Sequence, residues 1–264
     1  MEYNIKLIKS LFISIILSFI LGNSKTTPVL ASKNYRPIVV VDAGHGGKDP
    51  GAVGQFSYEK DVTLAYAKLL KRVLERKKRY KVVLTRSEDK YLPLQTRIKK
   101  AQQLRSDIFI SLHADAHENY SMRGISVYTL SEKASDKEAA RLASVENNVD
   151  YTFKNFKKEH REIKETLIAL LSRNTGNASA EFAHLLVRMF GQKLPLLNNT
   201  HRFAGFRVLK GLDTPAVLIE LGYLSNDEEE LLLHTENYQM LIVGTIERAL
   251  DKYFSKHFNP ARIN

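Results

Sequence analysis

Two histidines stand where a chain can use them. His45 lies in Asp42-Ala43-Gly44-His45-Gly46-Gly47-Lys48-Asp49-Pro50-Gly51, at the end of the apolar run Ile38 to Asp42. The glycines around it permit positive φ and close approach of other groups. His113 lies in Ser111-Leu112-His113-Ala114-Asp115, after the run Ile108 to Leu112, and Glu220 closes another run, Ala216 to Glu220. The chain has no cysteine, which excludes a cysteine nucleophile, a disulfide scaffold and any thiolate metal site. A metal would have to be held by His, Asp or Glu, and imidazole with carboxylate is the expected set for zinc. Neither GxGxxG nor a GxxxxGKS/T loop occurs, so the glycine turn is not a nucleotide loop. Read alone, each histidine is equally a hydrogen-bonded residue at a strand end. Glu59 is equally an acid in the first turn of a helix capped by Ser57. His117 competes as a ligand only if its segment is helical.

The elements that must carry these residues alternate. Ile38 to Asp42 reads as a strand, Val62/Leu69/Val73 as a helix, Val82 to Leu84 as a strand, Ile98/Ala101/Leu104 as a helix and Ile108 to Leu112 as a strand. Ile125 to Leu130 predicts another strand. A helix over about Ser179 to Phe190, a short strand at Phe206 to Leu209, the strand Ala216 to Glu220 and a closing helix from about Tyr238 to Phe254 follow. The pattern predicts an α/β fold with a mainly parallel central sheet covered by helices on both faces. Ligands of such sheets bind beyond the carboxyl ends of the strands, where His45 and His113 sit. Between Ser131 and Glu165, 16 of 35 residues are charged with signs mixed, which reads as a charged helical insertion spanning about 131–175.

The first residues read as an export signal: Lys6 and Lys9, an apolar run from Leu11 to Leu21, and a small residue, Ala31, at the expected cut. That run is too short for the roughly 20 residues a bilayer span needs. The expected organisation is therefore a signal peptide over 1–31, a short linker over 32–37 and one catalytic domain over 38–258, in the periplasm. The 264 residues, 44% hydrophobic and 26% charged, have the balance of one globular domain. A net charge of +11 suits an anionic polymer. No stretch combines dense basic residues with interleaved aromatics, so nucleic acid is not the expected partner.

Four stretches, taken together, resemble a known family. Val41 to Ala52, Tyr58-Glu59-Lys60-Asp61, Phe109 to Ala116 and Leu218 to Asn226 are similar, in order, to the motif blocks of the zinc N-acetylmuramoyl-L-alanine amidases. The resemblance implies that His45, Glu59 and His113 hold one Zn2+ and that Glu220 is the catalytic carboxylate. It implies hydrolysis of the amide between N-acetylmuramic acid and L-alanine of peptidoglycan. The alternatives are a non-catalytic wall-binding protein, or a zinc deacetylase or peptidase acting on peptidoglycan.

The charged insertion resembles that of the Gram-negative cell-division amidases. This implies a periplasmic activator of the inactive-metallopeptidase type and a role in daughter-cell separation. A monomer is the expectation. No wall-targeting module or binding repeat accompanies the domain in this sequence, so wall affinity is expected from the domain itself or from a partner. Within the insertion Leu142, Val145, Val149, Phe153 and Phe156 predict one apolar helix face with Glu146 at its edge. Glu146 to Asp150 resembles the Glu-Asn-x-x-Asp segment of the regulatory helix in those amidases, and this implies that Glu146 takes the open zinc position in a resting enzyme.

Overall fold

A computed structural model of the chain describes residues 35–148 and 165–257. The expected signal peptide and the stretch containing Val149, Phe153 and Phe156 lie outside the described residues. Six strands form one sheet: β1 (Ile38–Ala43), β2 (Lys81–Leu84), β3 (Ile108–Asp115), β4 (Ile125–Leu130), β5 (Leu196–Ala204) and β6 (Ala216–Tyr223), in the order β2-β1-β3-β6-β4-β5. β2, β1, β3 and β6 are mutually parallel; β4 runs antiparallel to β6 and parallel to β5. Every residue of β3 and β6 is buried, which is why both contain near-continuous apolar runs.

Side-chain alternation along the strands divides the core into two layers. Val39, Val41 and Ala43 of β1, with Ile110, Leu112 and Val217, pack under α1 (Glu59–Arg76), α4 (Glu165–Phe190) and α6 (Glu236–His257). Val40, Phe109 and Leu218 point the other way. They pack under α2 (Leu94–Gln103), α3 (Lys137–Asn148) and a 3-10 turn (Arg207–Leu209). A short helix, α5 (Asp227–Leu233), follows β6. α1 buries Val62, Tyr66, Ala67, Leu70, Val73 and Leu74, the 3–4 spacing of a helix lying on a sheet.

The strand order matters for function. After β1 the chain crosses to β2 on one side, and after β3 it leaves toward the other side of the sheet, so the two connections part at the carboxyl ends of adjacent strands. That is the topological switch point where open α/β sheets bind ligands. The pairing of Ala43 with Leu112 brings the exits of β1 and β3, and with them His45 and His113, side by side.

Two expectations fail here. Phe206 to Leu209 is not a strand but leads into the 3-10 turn, and the strand in this region is β5, eight residues upstream at its centre. β5 is an edge strand with polar residues on both faces and a positive φ at Asn199, so it lacks the apolar alternation that marks strands. The helix expected from about Ser179 already runs over Glu165–Phe190 among the described residues, reaching into the stretch read as insertion.

Candidate metal centre

His45 leaves β1 in a left-handed backbone conformation, φ 59°, which a side chain of this kind adopts only when its surroundings hold it there. Two buried arginines do so. Arg97 pairs with the buried Asp42 at 2.9 Å and donates to the carbonyls of Ala43 and His45 at 2.6 and 2.7 Å. Arg86 donates to the carbonyls of Ala43 and Gly44. Asp42 in turn accepts from Thr85 and Ser111, so the buried pair has its remaining lone pairs satisfied, the condition for an ion pair to persist without water. Gly44 lets the exit of β1 lie against His113: a Cβ there would come within 2.6 Å of its ring.

His113, in β3, and Glu59, the first residue of α1, complete the approach. Glu59 is buried and uses both oxygens. Oε1 accepts the Ala114 N–H and lies 3.0 Å from His113 Nδ1; Oε2 accepts the Ala52 N–H at 2.8 Å and lies 3.1 Å from His45 Nε2. Glu146 arrives from α3, on the other layer, with Oε2 3.4 Å from His45 Nε2 and 3.2 Å from His113 Nδ1. One donor atom from each of His45, Glu59, His113 and Glu146 lies within 4.8 Å of the others, and all four residues are buried.

The charges record the same convergence. Burial disfavours protonation of His45, yet Glu59 and Glu146 outweigh it and hold its pKa well above the ordinary value. His113 is raised similarly, again against burial, by Glu146 and Glu59. Burial opposes ionisation of Glu59 in turn, but the two imidazoles draw its pKa far below the carboxylate range.

These residues fit a divalent cation. Two imidazole nitrogens and two carboxylate oxygens are a donor set of the type zinc takes. Buried His45 Nε2 has no hydrogen-bond partner among the described residues, although two carboxylates flank it. Its other ring nitrogen lies 2.8 Å from Asp49 Oδ2, the outer contact that fixes the orientation of a ligating imidazole.

Glu220 stands next to His113 across the β3–β6 ladder. It is wholly buried and neither carboxylate oxygen has a hydrogen-bond partner among the described residues. Burial first, then the charges of Asp115, Glu59 and Glu146, lift its pKa well above the carboxylate range. Asp115 is itself raised to about 7, chiefly by burial, with Arg141 opposing the rise.

His45, Glu59, His113 and Glu146 thus meet at one point with Glu220 beside it, with two corrections of detail. Ser57 does not cap α1: Tyr58 is at the cap position, and the Ser57 hydroxyl donates to the carboxylate of Glu230, a stronger acceptor. The inward face of α3 is Ala139, Leu142, Ala143 and Glu146, while Val145 is 48% exposed. Glu146 therefore points into the site instead of flanking an apolar face. His117 stays apart, 3.4 Å from Glu138, because its segment is not helical.

The sequence reading passed over Asp49, four residues after His45, and Asp115, two after His113. It also passed over Arg86 and Arg97, which no spacing from the histidines marks. A cavity of about 920 Å³ between α4 and α6, lined by Glu181, His184 and Arg188, includes none of the four clustered residues. At the cluster itself a small space is lined by His45, Asp49, Leu92, Leu94, His113 and Glu146.

Comparison with known proteins agrees with this geometry. The family described as Amidase_3, N-acetylmuramoyl-L-alanine amidase, matches residues 39–252. The chain is 38% identical over 230 residues to N-acetylmuramoyl-L-alanine amidase AmiC of Escherichia coli O6:H1, covering 86% of this chain and 55% of that protein. It is 34% identical to AmiA of Escherichia coli K12, covering 88% and 81% respectively. It spans about half the length of several curated relatives it matches. Among solved structures it resembles the catalytic domain of CwlV from Bacillus (Paenibacillus) polymyxa var. colistinus, at 29% identity and TM-score 0.58 over 83% of this chain and 98% of that one. It also resembles AmiC2 of Nostoc punctiforme, at 26% identity and TM-score 0.62 over 83% and 97%. A match that runs from the first strand nearly to the end of the last helix, through every residue of the cluster, leaves one assignment: the chain belongs to the Amidase_3 family of N-acetylmuramoyl-L-alanine amidases.

Proposed function

We propose that the chain hydrolyses the amide bond between the lactyl group of N-acetylmuramic acid and the first L-alanine of the peptidoglycan stem peptide. His45, Glu59 and His113 would hold one zinc, and Glu220 would move the proton. The observation that carries this reading is the pairing of a four-donor cluster with a separate, wholly buried carboxylate whose oxygens have no hydrogen-bond partner among the described residues. When bound, zinc supplies Lewis-acid polarisation of the scissile carbonyl and an acidified water.

The remaining work falls to the protein's own groups. Glu220 takes the proton from the attacking water and returns it to the leaving amine of L-alanine. Its raised pKa makes it a stronger base than an ordinary carboxylate, better able to accept the proton of the water. Asp49 keeps the His45 ring in place, and Arg97 holds the backbone behind it. No covalent intermediate is required.

Muropeptide mass spectrometry after digestion of purified wall tests the activity. Free stem peptides and peptide-free glycans are the expected products; cut cross-links or lost acetyl groups would replace this reading with a peptidase or a deacetylase.

α3 supports a resting state that is closed. Glu146 stands between the two histidines, where substrate and water must enter. α3 is tied to the domain by Arg141 with Asp115 at 2.7 Å, and by Asn147 with the Gly205 carbonyl and the Arg207 N–H. An activator then has to favour the displaced helix, and a preference of about 3 kcal/mol shifts such an equilibrium by roughly two orders of magnitude. Glu146→Ala is expected to raise basal hydrolysis of purified wall, without activator, by about tenfold or more, with zinc content unchanged. Equal basal rates would make Glu146 a bystander. The leading Lys6/Lys9 and Leu11–Leu21 pattern supports an exported, periplasmic enzyme, and similarity to the amidases AmiC and AmiA supports action on the wall, at division as the insertion's resemblance implies. Among the described residues no helix is long and apolar enough to cross a membrane.

A further inference from the structure

The first turn of α5 carries two adjacent buried carboxylates, Glu229 and Glu230. Neighbours on a helix point about 100° apart, so the two reach different parts of the molecule. Glu229 accepts the N–H groups of Gly124 and Tyr223, joining the start of β4 to the end of β6. Glu230 reaches the other way and accepts from the Gln55 N–H at 2.9 Å, the Phe56 N–H at 3.2 Å and the Ser57 hydroxyl at 2.5 Å. All three donors belong to one turn. That turn closes a small hairpin in which Gly54 N–H donates to Ser57 O and Val53 bridges Tyr58. The hairpin ends at Glu59, whose N–H donates to Ala52 O while its Oε2 accepts the Ala52 N–H. Gly54 must lack a Cβ, because one would fall on Glu230 Oε1.

We propose that Glu230 is a positioning residue for the metal centre: its carboxylate fills the turn at 54–57 and so fixes the hairpin that aims Glu59 at His45 and His113. The inference rests on the reading of Glu59 as a zinc ligand. Beyond these bonds and the hairpin's own backbone contacts, Phe56 lies against His234, ring centroids 5.5 Å apart. Val53, Phe56 and Tyr58 are 59%, 51% and 48% exposed, so apolar burial contributes little, whereas three hydrogen bonds from the turn converge on one buried carboxylate. Without that acceptor the donors of the turn lose their partner. The Ala52 N–H that orients Glu59 then moves with the turn. Outer contacts that orient a ligand typically change metal affinity by about 10–100-fold.

The test uses the full chain and zinc alone, with affinity read by competition against a chromophoric chelator and site geometry read from the absorption spectrum of the cobalt-substituted protein. Glu230→Gln keeps the volume but sets an amide N–H against a donor of the turn. It is expected to weaken zinc binding about 10–100-fold and to alter the cobalt spectrum. Ser57→Ala removes one donor and opens no cavity at Glu230, so it serves even if Glu230→Gln fails to fold. It is expected to weaken binding about 3–10-fold. Zinc affinity within twofold of wild type in a folded Glu230→Gln, or in Ser57→Ala if the first does not fold, overturns the proposal while leaving the ligand reading intact. A wild-type chain that binds no zinc overturns both.

Discussion

Glu220→Gln is expected to lower turnover on purified peptidoglycan by roughly 10²–10⁴-fold, the usual contribution of a positioned acid or base, while zinc stoichiometry stays at the wild-type value. The separation follows from geometry: Glu220 lies beside His113 but outside the four-donor cluster, so its loss removes the proton carrier and spares the metal. The same substitution should stabilise the metal-free protein. Wild-type Glu220 is buried, neither oxygen has a hydrogen-bond partner among the described residues, and its pKa is raised by burial and by Asp115, Glu59 and Glu146.

A folded-state pKa above the unfolded one means that the native state holds the proton more tightly. As pH climbs past the ordinary carboxylate value of about 4.3 toward the raised one, the unfolded chain ionises first and stability falls. Gln mimics the protonated form and carries no such penalty. The stability gap between Glu220→Gln and wild type should therefore widen as pH rises through that window, reaching about 1–3 kcal/mol, the scale of an uncompensated buried polar group. A near-normal rate in the variant, or a gap that narrows with rising pH, would count against the assigned role.

Removing the metal should have an equally large effect of a different kind. Chelation is expected to abolish hydrolysis and to lower the melting temperature, both restored by one equivalent of zinc. His45, Glu59, His113 and Glu146 come from β1, α1, β3 and α3, far apart in sequence, so the donors converge only in the folded chain. A ligand that binds the native state alone stabilises it by about 2.7 kcal/mol at a hundredfold excess over its dissociation constant, or roughly 5–10 °C for a domain of this size. His113→Ala should show the lowered melting temperature without chelator and no further drop with it. Activity that survives exhaustive chelation would remove the metal from the mechanism.

The proposal for Glu230 extends the same logic one layer outward. A site assembled from separate elements depends on whatever fixes each element, and Glu59 sits at the start of a helix behind a short hairpin with little packing of its own. Arg86 and Arg97 do this for the exit of β1; Glu230 does it for the hairpin.

His45, His113 and Glu220 were visible in the sequence because each ends or lies within an apolar run, and a parallel sheet brings such positions to one edge. The α/β alternation was legible for a similar reason: β1, β3 and β6 are buried on both faces and are therefore mostly apolar up to their carboxyl ends. β5 escaped notice because an edge strand can be polar on both sides, and the 3-10 turn at Arg207–Leu209 imitated a strand by burying Val208 and Leu209. The charged composition of the insertion announced a helix but not its rotation. Packing against Tyr128 and Phe206 in the second core layer chose Ala139, Leu142 and Ala143 for the inward face, and with them Glu146.

Local pattern thus determined which residues end up at strand termini, since that depends on hydrophobic periodicity within a few residues. Only the tertiary structure decided which of them meet, and which arginines and carboxylates hold them. Those contacts, Arg97 with Asp42 and Glu230 with the turn at 54–57, join residues 55 and more than 170 positions apart, and no local pattern constrains pairs at such separation.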